Sequence, residues 1–122
     1  MQNFKDLKVW QRSHQFVLEL YRVTTSFPKS EVYGLTSQIR RAAASVPTNI
    51  VEGCGRSSNA ELGRFLWIAM GSAAEVEYQC LLARDLDFMS EIEFTHLSGE
   101  IVEIRRMLNA LIHKVAQPKT NH

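Results

Sequence analysis

The stretch from Phe94 to Val115 carries a continuous heptad of apolar side chains, and this pattern constrains the fold more than any other feature of the chain. Its apolar positions follow a 3-4-3-4-3-4 spacing: Phe94, Leu97, Ile101, Ile104, Leu108, Leu111 and Val115. That spacing places them on one face of a helix of the kind that packs in bundles. A capping box of Ser90 and Glu93 precedes it, and Pro118 follows it. The segment therefore predicts a long helix that buries one stripe.

Three earlier segments show the same helical periodicity, over about 6–26, 36–53 and 58–86. Pro28 ends the first, Thr36 or Ser37 is the expected N-cap of the second, and Ser58 with Glu61 forms a capping box for the third. Short connections and the lack of strand-like alternation predict an all-α, up-down-up-down four-helix bundle. We expect residues 1–117 to form one domain and 118–122 to be a disordered tail.

Two of the helices carry more apolar surface than one bundle core requires. Helix one has two rows, which are Leu7, Trp10, His14, Val17, Tyr21 and Thr24, and Val9, Phe16, Leu20, Val23 and Phe27. Helix three adds a second row to its core stripe: Trp67, Met70, Gly71, Ala74, Tyr78 and Leu81. A bundle helix needs one stripe. The additional rows therefore predict burial against further copies of the chain, as in a homo-oligomer.

The overall charge is balanced, with 14 Lys and Arg against 13 Asp and Glu. A net charge of +1 gives no global field that would draw the chain to nucleic acid or to an acidic membrane, so such binding needs a local patch. No apolar run approaches the length that spans a bilayer. Cys54 and Cys80 form no C-x-x-C motif, and the polar N-terminus resembles no signal peptide. We expect a cytoplasmic protein with reduced, buried thiols.

The residue types used for catalysis do not form a recognisable constellation. A di-metal bundle needs two Glu-x-x-His pairs, and the chain has one, Glu93 with His96, at a helix end. Cys54 lies between two glycines and has no histidine near it in sequence, which favours a packed thiol over a nucleophile. The sequence predicts no catalytic residue, no metal ligand and no cofactor. A metal-dependent four-helix bundle enzyme is the alternative from another functional class.

The arginines divide into two groups by their local partners. Arg22, Arg64, Arg84 and Arg106 each have an acidic residue three positions away, whereas Arg12, Arg40, Arg41 and Arg105 have none at three or four positions. Arg56 has only Glu52, across a helix end. If helices two and three pack as an antiparallel hairpin, paired residue numbers add to about 111. Arg40 and Arg41 would then lie about one turn from Glu75.

Two interpretations of these arginines compete, and we favour the structural one. It is a polar network at a packing interface that fixes register and subunit orientation, formed by Gln38, Arg41, Asn49, Glu52, Ser72 and Glu75, with Arg40 beside it. The functional interpretation is a nucleic-acid-binding patch of Arg40, Arg41 and Arg56 near the N-terminus of helix three.

Several motifs resemble a known family. They are FKDLKVW from Phe4 to Trp10, Gly34-Leu35, SQIRRAAASVPTNIVEGCGR from Ser37 to Arg56, and RFLWIAMGSAAEVE from Arg64 to Glu77. Over about 4–115 the chain resembles the four-helix bundle proteins also called the 23S rRNA intervening-sequence protein family. The resemblance implies a ring-like homopentamer. It extends to the accessory protein of diversity-generating retroelements, a strongly basic pentamer that binds nucleic acid and a reverse transcriptase.

The resemblance implies a role in assembly and binding and does not define a reaction. We therefore expect a non-enzymatic homo-oligomer, with RNA or a nucleoprotein as partner and without a small-molecule substrate. The net charge of +1 departs from the basic character of the retroelement protein.

Overall fold

Four helices account for most of the chain. The computed structural model describes residues 3–117, and the predicted tail at 118–122 lies outside the described residues. The helices are α1 (Lys8–Thr24), α2 (Leu35–Cys54), α3 (Asn59–Asp85) and α4 (Glu91–Ala116). Two short 3-10 helices, Phe4–Asp6 and Lys29–Glu31, precede α1 and α2. Residues 3–117 contain no strand, which confirms the all-α prediction, and none of their helices is long and apolar enough to cross a membrane.

The predicted caps are confirmed at α4 and only in part at α3. At α4, Ser90 Oγ accepts from the Glu93 amide at 3.1 Å, while Glu93 Oε1 accepts from the Ser90 amide at 3.0 Å. At α3, Ser58 Oγ accepts from the Glu61 amide in the same way. The Glu61 carboxylate, however, bonds Arg64 Nε at 3.0 Å and does not return to Ser58. A charged partner one turn along the helix is a stronger donor than a backbone amide.

The start of α2 differs from the prediction. Thr36 and Ser37 lie inside the helix, and Gly34 occupies the N-cap position without a side-chain cap. The carboxylate of Glu31, from the preceding 3-10 helix, accepts from the amide of Leu35 at 3.0 Å. This carboxylate supplies the oxygen that an N-cap serine or threonine would otherwise provide. Because Thr36 does not act as the cap, its hydroxyl is available for another role.

The core runs the length of the bundle and includes most, but not all, of the predicted heptad positions of α4. The buried residues of α4 are Leu97, Ile101, Ile104, Leu108 and Ile112. Phe94, Leu111 and Val115, which the strict heptad also places in the core, are half-buried. A straight helix has 3.6 residues per turn, so its buried stripe drifts from a 3.5-residue repeat by about 20° per heptad. By the last turns the drift has moved the stripe to Ile112.

The second apolar rows of α1 and α3 differ in how far this chain covers them. In α1, Val9, Phe16 and Leu20 of one row are buried, and in the other row Thr24 is buried while Tyr21 is exposed. Leu7, Trp10 and Val17 of that second row are half-buried against the core. The second row of α3 is more open, with Trp67 at 55% and Tyr78 at 60% of their full exposure.

Helices α2 and α3 run antiparallel, in a register different from the predicted one. Ser45 Oγ lies 2.9 Å from Ser72 Oγ, so facing residues have numbers that add to 117. A Cβ atom on Gly53 would lie 2.9 Å from Leu62 Cδ1 and 3.1 Å from Phe65 Cβ. The exit glycine of α2 thus packs against the second turn of α3, and the first turn of α3 extends beyond the end of α2. This overhang produces the shifted register.

Candidate nucleic-acid interface

Arg40 extends from α2 towards α1 and not towards α3. Its Nε donates to Thr24 Oγ1 at 2.8 Å, and its Nη2 donates to the carbonyl oxygen of Tyr21 at 3.1 Å. The guanidinium carbon lies 4.6 Å from the centre of the Tyr21 ring, within the range of a cation–π contact. The predicted contact of Arg40 with Ser72 and Glu75 is therefore wrong. The last carbonyls of α1 attract a cation because they form the negative end of the helix dipole.

Arg41, in α2, and Arg56, just after the C-cap of α2, are the other predicted nucleic-acid ligands and lie far apart. Arg41 is exposed and makes neither a hydrogen bond nor an ion pair within residues 3–117. Arg56 lies 3.6 Å from Glu52 and over the ring of Phe65 at 4.9 Å. At 1.5 Å of rise per residue, the end of α2 at Cys54, two residues before Arg56, is roughly 20 Å along the helix axis from Arg41. The structure therefore keeps Arg40 and Arg41 on neighbouring positions and does not bring Arg56 to them.

The predicted polar network is present as separate pieces. Asn49 Nδ2 donates to Ser45 Oγ at 2.9 Å and to the Ser45 carbonyl at 2.8 Å, and Ser45 in turn bonds Ser72. Asn49 and Ser72 are thus linked through Ser45, which the predicted network did not include. This piece joins α2 to α3 by neutral groups and contains no arginine.

A second piece of the network lies on α3 alone. Glu75 Oε2 accepts from Gln79 Nε2 at 3.2 Å, and Gln79 is only 5% exposed. Gln38 of α2 is exposed and has no hydrogen-bond partner within residues 3–117, while Glu52 pairs with Arg56. Within residues 3–117 these side chains do not form one continuous network, because the register places Ser45 and not Arg41 opposite Ser72.

Two other arginines pair with carboxylates that only the fold brings near them. Arg12 Nη2 of α1 lies 2.8 Å from Glu100 Oε2 of α4, and Arg105 Nη1 of α4 lies 2.5 Å from Glu77 Oε1 of α3. Arg64, Arg84 and Arg106 also contact carboxylates within 4 Å.

Three arginines in the described part of the chain have no carboxylate within 4 Å: Arg22, Arg40 and Arg41. We call them the carboxylate-free arginines. They lie on α1 and α2. Their positive charges are not neutralised by ion pairs within residues 3–117, which leaves them available to an anionic partner.

The two cysteines are packed thiols. Burial raises the pKa of Cys54, and burial followed by the charge of Glu77 raises the pKa of Cys80 to about 12. A thiol with a raised pKa is a weak nucleophile at neutral pH, because the thiolate is the reactive form. His96 bonds Glu19 of α1 at 2.6 Å, and within residues 3–117 no three His, Cys, Asp or Glu side chains gather closely enough to hold a metal ion.

Sequence reasoning missed the groove beside Arg40. It lies between the end of α1 and the start of α2, has a volume of about 530 Å³, and is lined by Thr24, Thr25, Phe27, Pro28, Lys29, Val32, Thr36 and Arg40. Pro28 and Gly34 signal a reversal of the chain between the two helices. Such a reversal would bring residues on either side of it together. It does not by itself say which side chains face each other.

The fold and these contacts define an all-α protein of four packed helices in which the carboxylate-free arginines of residues 3–117 lie on α1 and α2. A family model described as the 23S rRNA-intervening sequence protein matches residues 5–110. The chain belongs to this family, as its motifs suggested.

Among solved structures, the chain is similar to a protein of unknown function from the S23 ribosomal protein family of Bacteroides thetaiotaomicron VPI-5482, a crystal structure at 1.70 Å resolution. The two are 23% identical with a TM-score of 0.77, over 85% of this chain and 97% of the other. At this identity the similarity shows the fold alone. No curated protein matches the chain.

Proposed function

We propose that this protein is a non-enzymatic, homo-oligomeric helical scaffold that binds RNA, alone or within a nucleoprotein, through the carboxylate-free arginines of α2. The observation that carries this proposal is the contrast among the arginines. Six in residues 3–117 have a carboxylate within 4 Å, while Arg40 and Arg41 have none although they are adjacent in sequence. Arginine guanidinium groups suit phosphate oxygens because they present paired donors.

We further propose that the helices form an up-down-up-down bundle that assembles as a ring-like homopentamer. The cross-helix contacts Arg12–Glu100, Ser45–Ser72 and Glu77–Arg105 support the bundle. The uncovered row of α3, with Trp67 and Tyr78, supports the assembly, because large contiguous apolar surface on a monomer is unusual. The number five comes from the family resemblance.

Light scattering of the purified protein tests the assembly. We expect a mass near five times the chain mass of 13.9 kDa. Trp67→Glu on the uncovered row should reduce the mass, while Val102→Glu, an exposed apolar position on α4, is the matched charge control for loss through general repulsion. A monomer at micromolar concentration would contradict the oligomer without affecting the fold.

Binding of a short single-stranded RNA, followed by fluorescence anisotropy, tests the partner. We expect weak binding that is lost at higher salt and that falls at least about tenfold in the double variant Arg40→Ala/Arg41→Ala, since phosphate contacts carry such binding. The matched control is Arg64→Ala/Arg106→Ala, which removes the same charge from arginines that already have carboxylate partners. Both double variants should remain folded and oligomeric by circular dichroism and light scattering.

Two results would contradict the RNA role. One is equal RNA affinity in Arg40→Ala/Arg41→Ala and the wild type. The other is an equal loss in the control variant, which would show that net charge and not the α2 arginines determines binding.

A further inference from the structure

The groove between the end of α1 and the start of α2 holds polar groups that lack partners among residues 3–117. Thr36 is 7% exposed, and its hydroxyl makes no hydrogen bond with any described residue. The Thr36 Oγ1 atom keeps some contact with solvent, so its hydroxyl is free to hydrogen-bond a molecule that enters the groove. Thr36 lines the groove together with Arg40. An acceptor bound in the groove would satisfy it.

Arg40 brings a fixed and unneutralised charge to the same groove. Its bonds to Thr24 and Tyr21 use two of the five N–H groups of the guanidinium and hold it in place. The remaining donors have no acceptor within residues 3–117. Because the side chain is already held at two points, a ligand would not have to order it, which favours binding.

The other charges around the groove also favour an anion. Lys29 lines the groove, and no carboxylate does. The nearest acid in sequence, Glu31, is engaged by the amide of Leu35 at 3.0 Å. The amides of Thr36 and Ser37, in the first turn of α2, have no backbone acceptor in the described part of the chain. They add the donors and the positive dipole end that phosphate groups meet at helix N-termini.

The rest of the groove is apolar. Phe27, Pro28 and Val32 line it together with the donors, and a volume of about 530 Å³ is within the range of small-ligand sites. An inorganic ion would fill only the polar end. A phosphate that carries a flat, weakly polar ring would use both parts.

We propose that this groove binds one nucleotide unit, with the phosphate on Arg40, Lys29 and the Thr36 hydroxyl and the base against Phe27 and Pro28. This inference deepens the proposed RNA-binding function and rests on it for the choice of a nucleotide over other anions. Arg41, outside the groove, would then contact a neighbouring phosphate of the same strand. The site is distinct from Arg56, which lies at the other end of α2.

Uridine 5′-monophosphate tests the proposal on the intact protein, by two-dimensional NMR of ¹⁵N-labelled protein or by calorimetry. We expect it to shift the amide signals of Thr36, Ser37 and Arg40 and to bind about tenfold more weakly to Thr36→Val, which loses one hydrogen bond to a charged group. Thr36→Val should fold normally because the hydroxyl has no partner to lose. Ser37→Ala removes a neighbouring hydroxyl that does not line the groove, keeps the Thr36 hydroxyl and should bind as the wild type does. Inorganic phosphate should shift the same signals at higher concentration, and uridine should shift none.

The groove assignment is wrong if the monophosphate shifts no groove residue, if uridine binds as well, or if Thr36→Val binds with wild-type affinity. RNA binding through Arg41 without monophosphate binding would overturn the groove and leave the proposed function standing. Monophosphate binding without RNA binding would support the groove and contradict the proposed function.

Discussion

Arg105 in the α3–α4 seam and Arg40 at the α1–α2 corner are both half-buried, and both reach a neighbouring helix. Arg105 contacts the carboxylate of Glu77, whereas Arg40 contacts a hydroxyl and a carbonyl. Both contacts connect helices, but only the first neutralises the charge. The comparison shows that an arginine can fasten the fold and still keep its positive charge for a partner.

Two exposed arginines, Arg106 and Arg41, also differ in whether a carboxylate neutralises their charge. Arg106 on α4 has Glu103 as an ion-pair partner one turn away, while Arg41 on α2 has Gln38 at that spacing. Adding or removing a carboxylate beside an arginine therefore tests whether the lack of an ion-pair partner determines RNA binding.

We expect the largest effect on RNA affinity when Arg41 is given the carboxylate partner that it lacks. Gln38→Glu places an acid three residues before Arg41, the spacing of Glu61 and Arg64. We expect RNA affinity at low salt to fall about tenfold, because neutralising one phosphate-binding charge removes about one counterion-release contact. Stability should not fall, since an acid in the first turn of α2 favours the helix dipole. Anisotropy and urea unfolding measure the two quantities.

Asn109→Glu is the matched control for Gln38→Glu. It makes the same change of charge on α4, at an exposed position one turn from Arg105 and Arg106, which already have carboxylates. RNA affinity should stay close to that of the wild type. Equal losses in the two variants would show that the position of the charge does not matter.

Replacing Arg105 should lower the free energy of unfolding more than replacing Arg41, although Arg41 is the arginine that we assign to RNA binding. Arg105→Ala leaves the half-buried Glu77 without its partner, and we expect a loss of about 1 kcal/mol in the free energy of unfolding. Arg41→Ala should change it by less than about 0.5 kcal/mol, since Arg41 has no partner within the described residues. Urea unfolding of both variants checks this order. A larger loss in Arg41→Ala would indicate that it packs against another subunit.

The contact between Arg40 and Thr24 should contribute a smaller amount to the free energy of unfolding. Thr24→Val keeps the side-chain volume and removes the hydroxyl that accepts from Arg40 Nε. In a double-mutant cycle with Arg40→Ala we expect a coupling free energy of about 0.5–1 kcal/mol. The control is Ser26→Ala, whose hydroxyl donates to the Val23 carbonyl and shares no acceptor with Arg40. A cycle with the same coupling for Ser26 would mean that Thr24 does not hold Arg40.

The smallest expected effect is on the stability of the fold at acidic pH. The hydrogen bond from Arg106, followed by the charges of Arg106 and Arg12, lowers the pKa of Glu103 from its ordinary value of 4.5. Because the folded-state pKa is lower, the stabilisation is present above pH 4.5 and is lost as the pH falls through the folded-state value. NMR titration should show that Arg106→Gln raises this pKa more than Arg12→Gln does. The reverse order would contradict the assigned pairing.

The sequence by itself determined the helices and much of the core. Apolar spacing predicted Leu97, Ile101, Ile104 and Leu108 as the buried stripe of α4, and the Ser90–Glu93 capping box was predicted where it is found. These features are local, because helix periodicity and caps depend on residues within one or two turns. The family motifs are also local, because each is a short run of consecutive residues, and the family was recognised from the sequence alone.

Only the tertiary structure decided which polar side chains meet. Glu77 and Arg105 are far apart in sequence, and so are Thr24 and Arg40. The shift in register from the predicted one separated Arg41 from Ser72 and left Ser45 in its place. Such contacts depend on how Gly53 packs on Leu62 and on how the chain turns at Pro28. Because a shift of a few residues in helix packing exchanges every cross-helix partner, no local pattern could have predicted them.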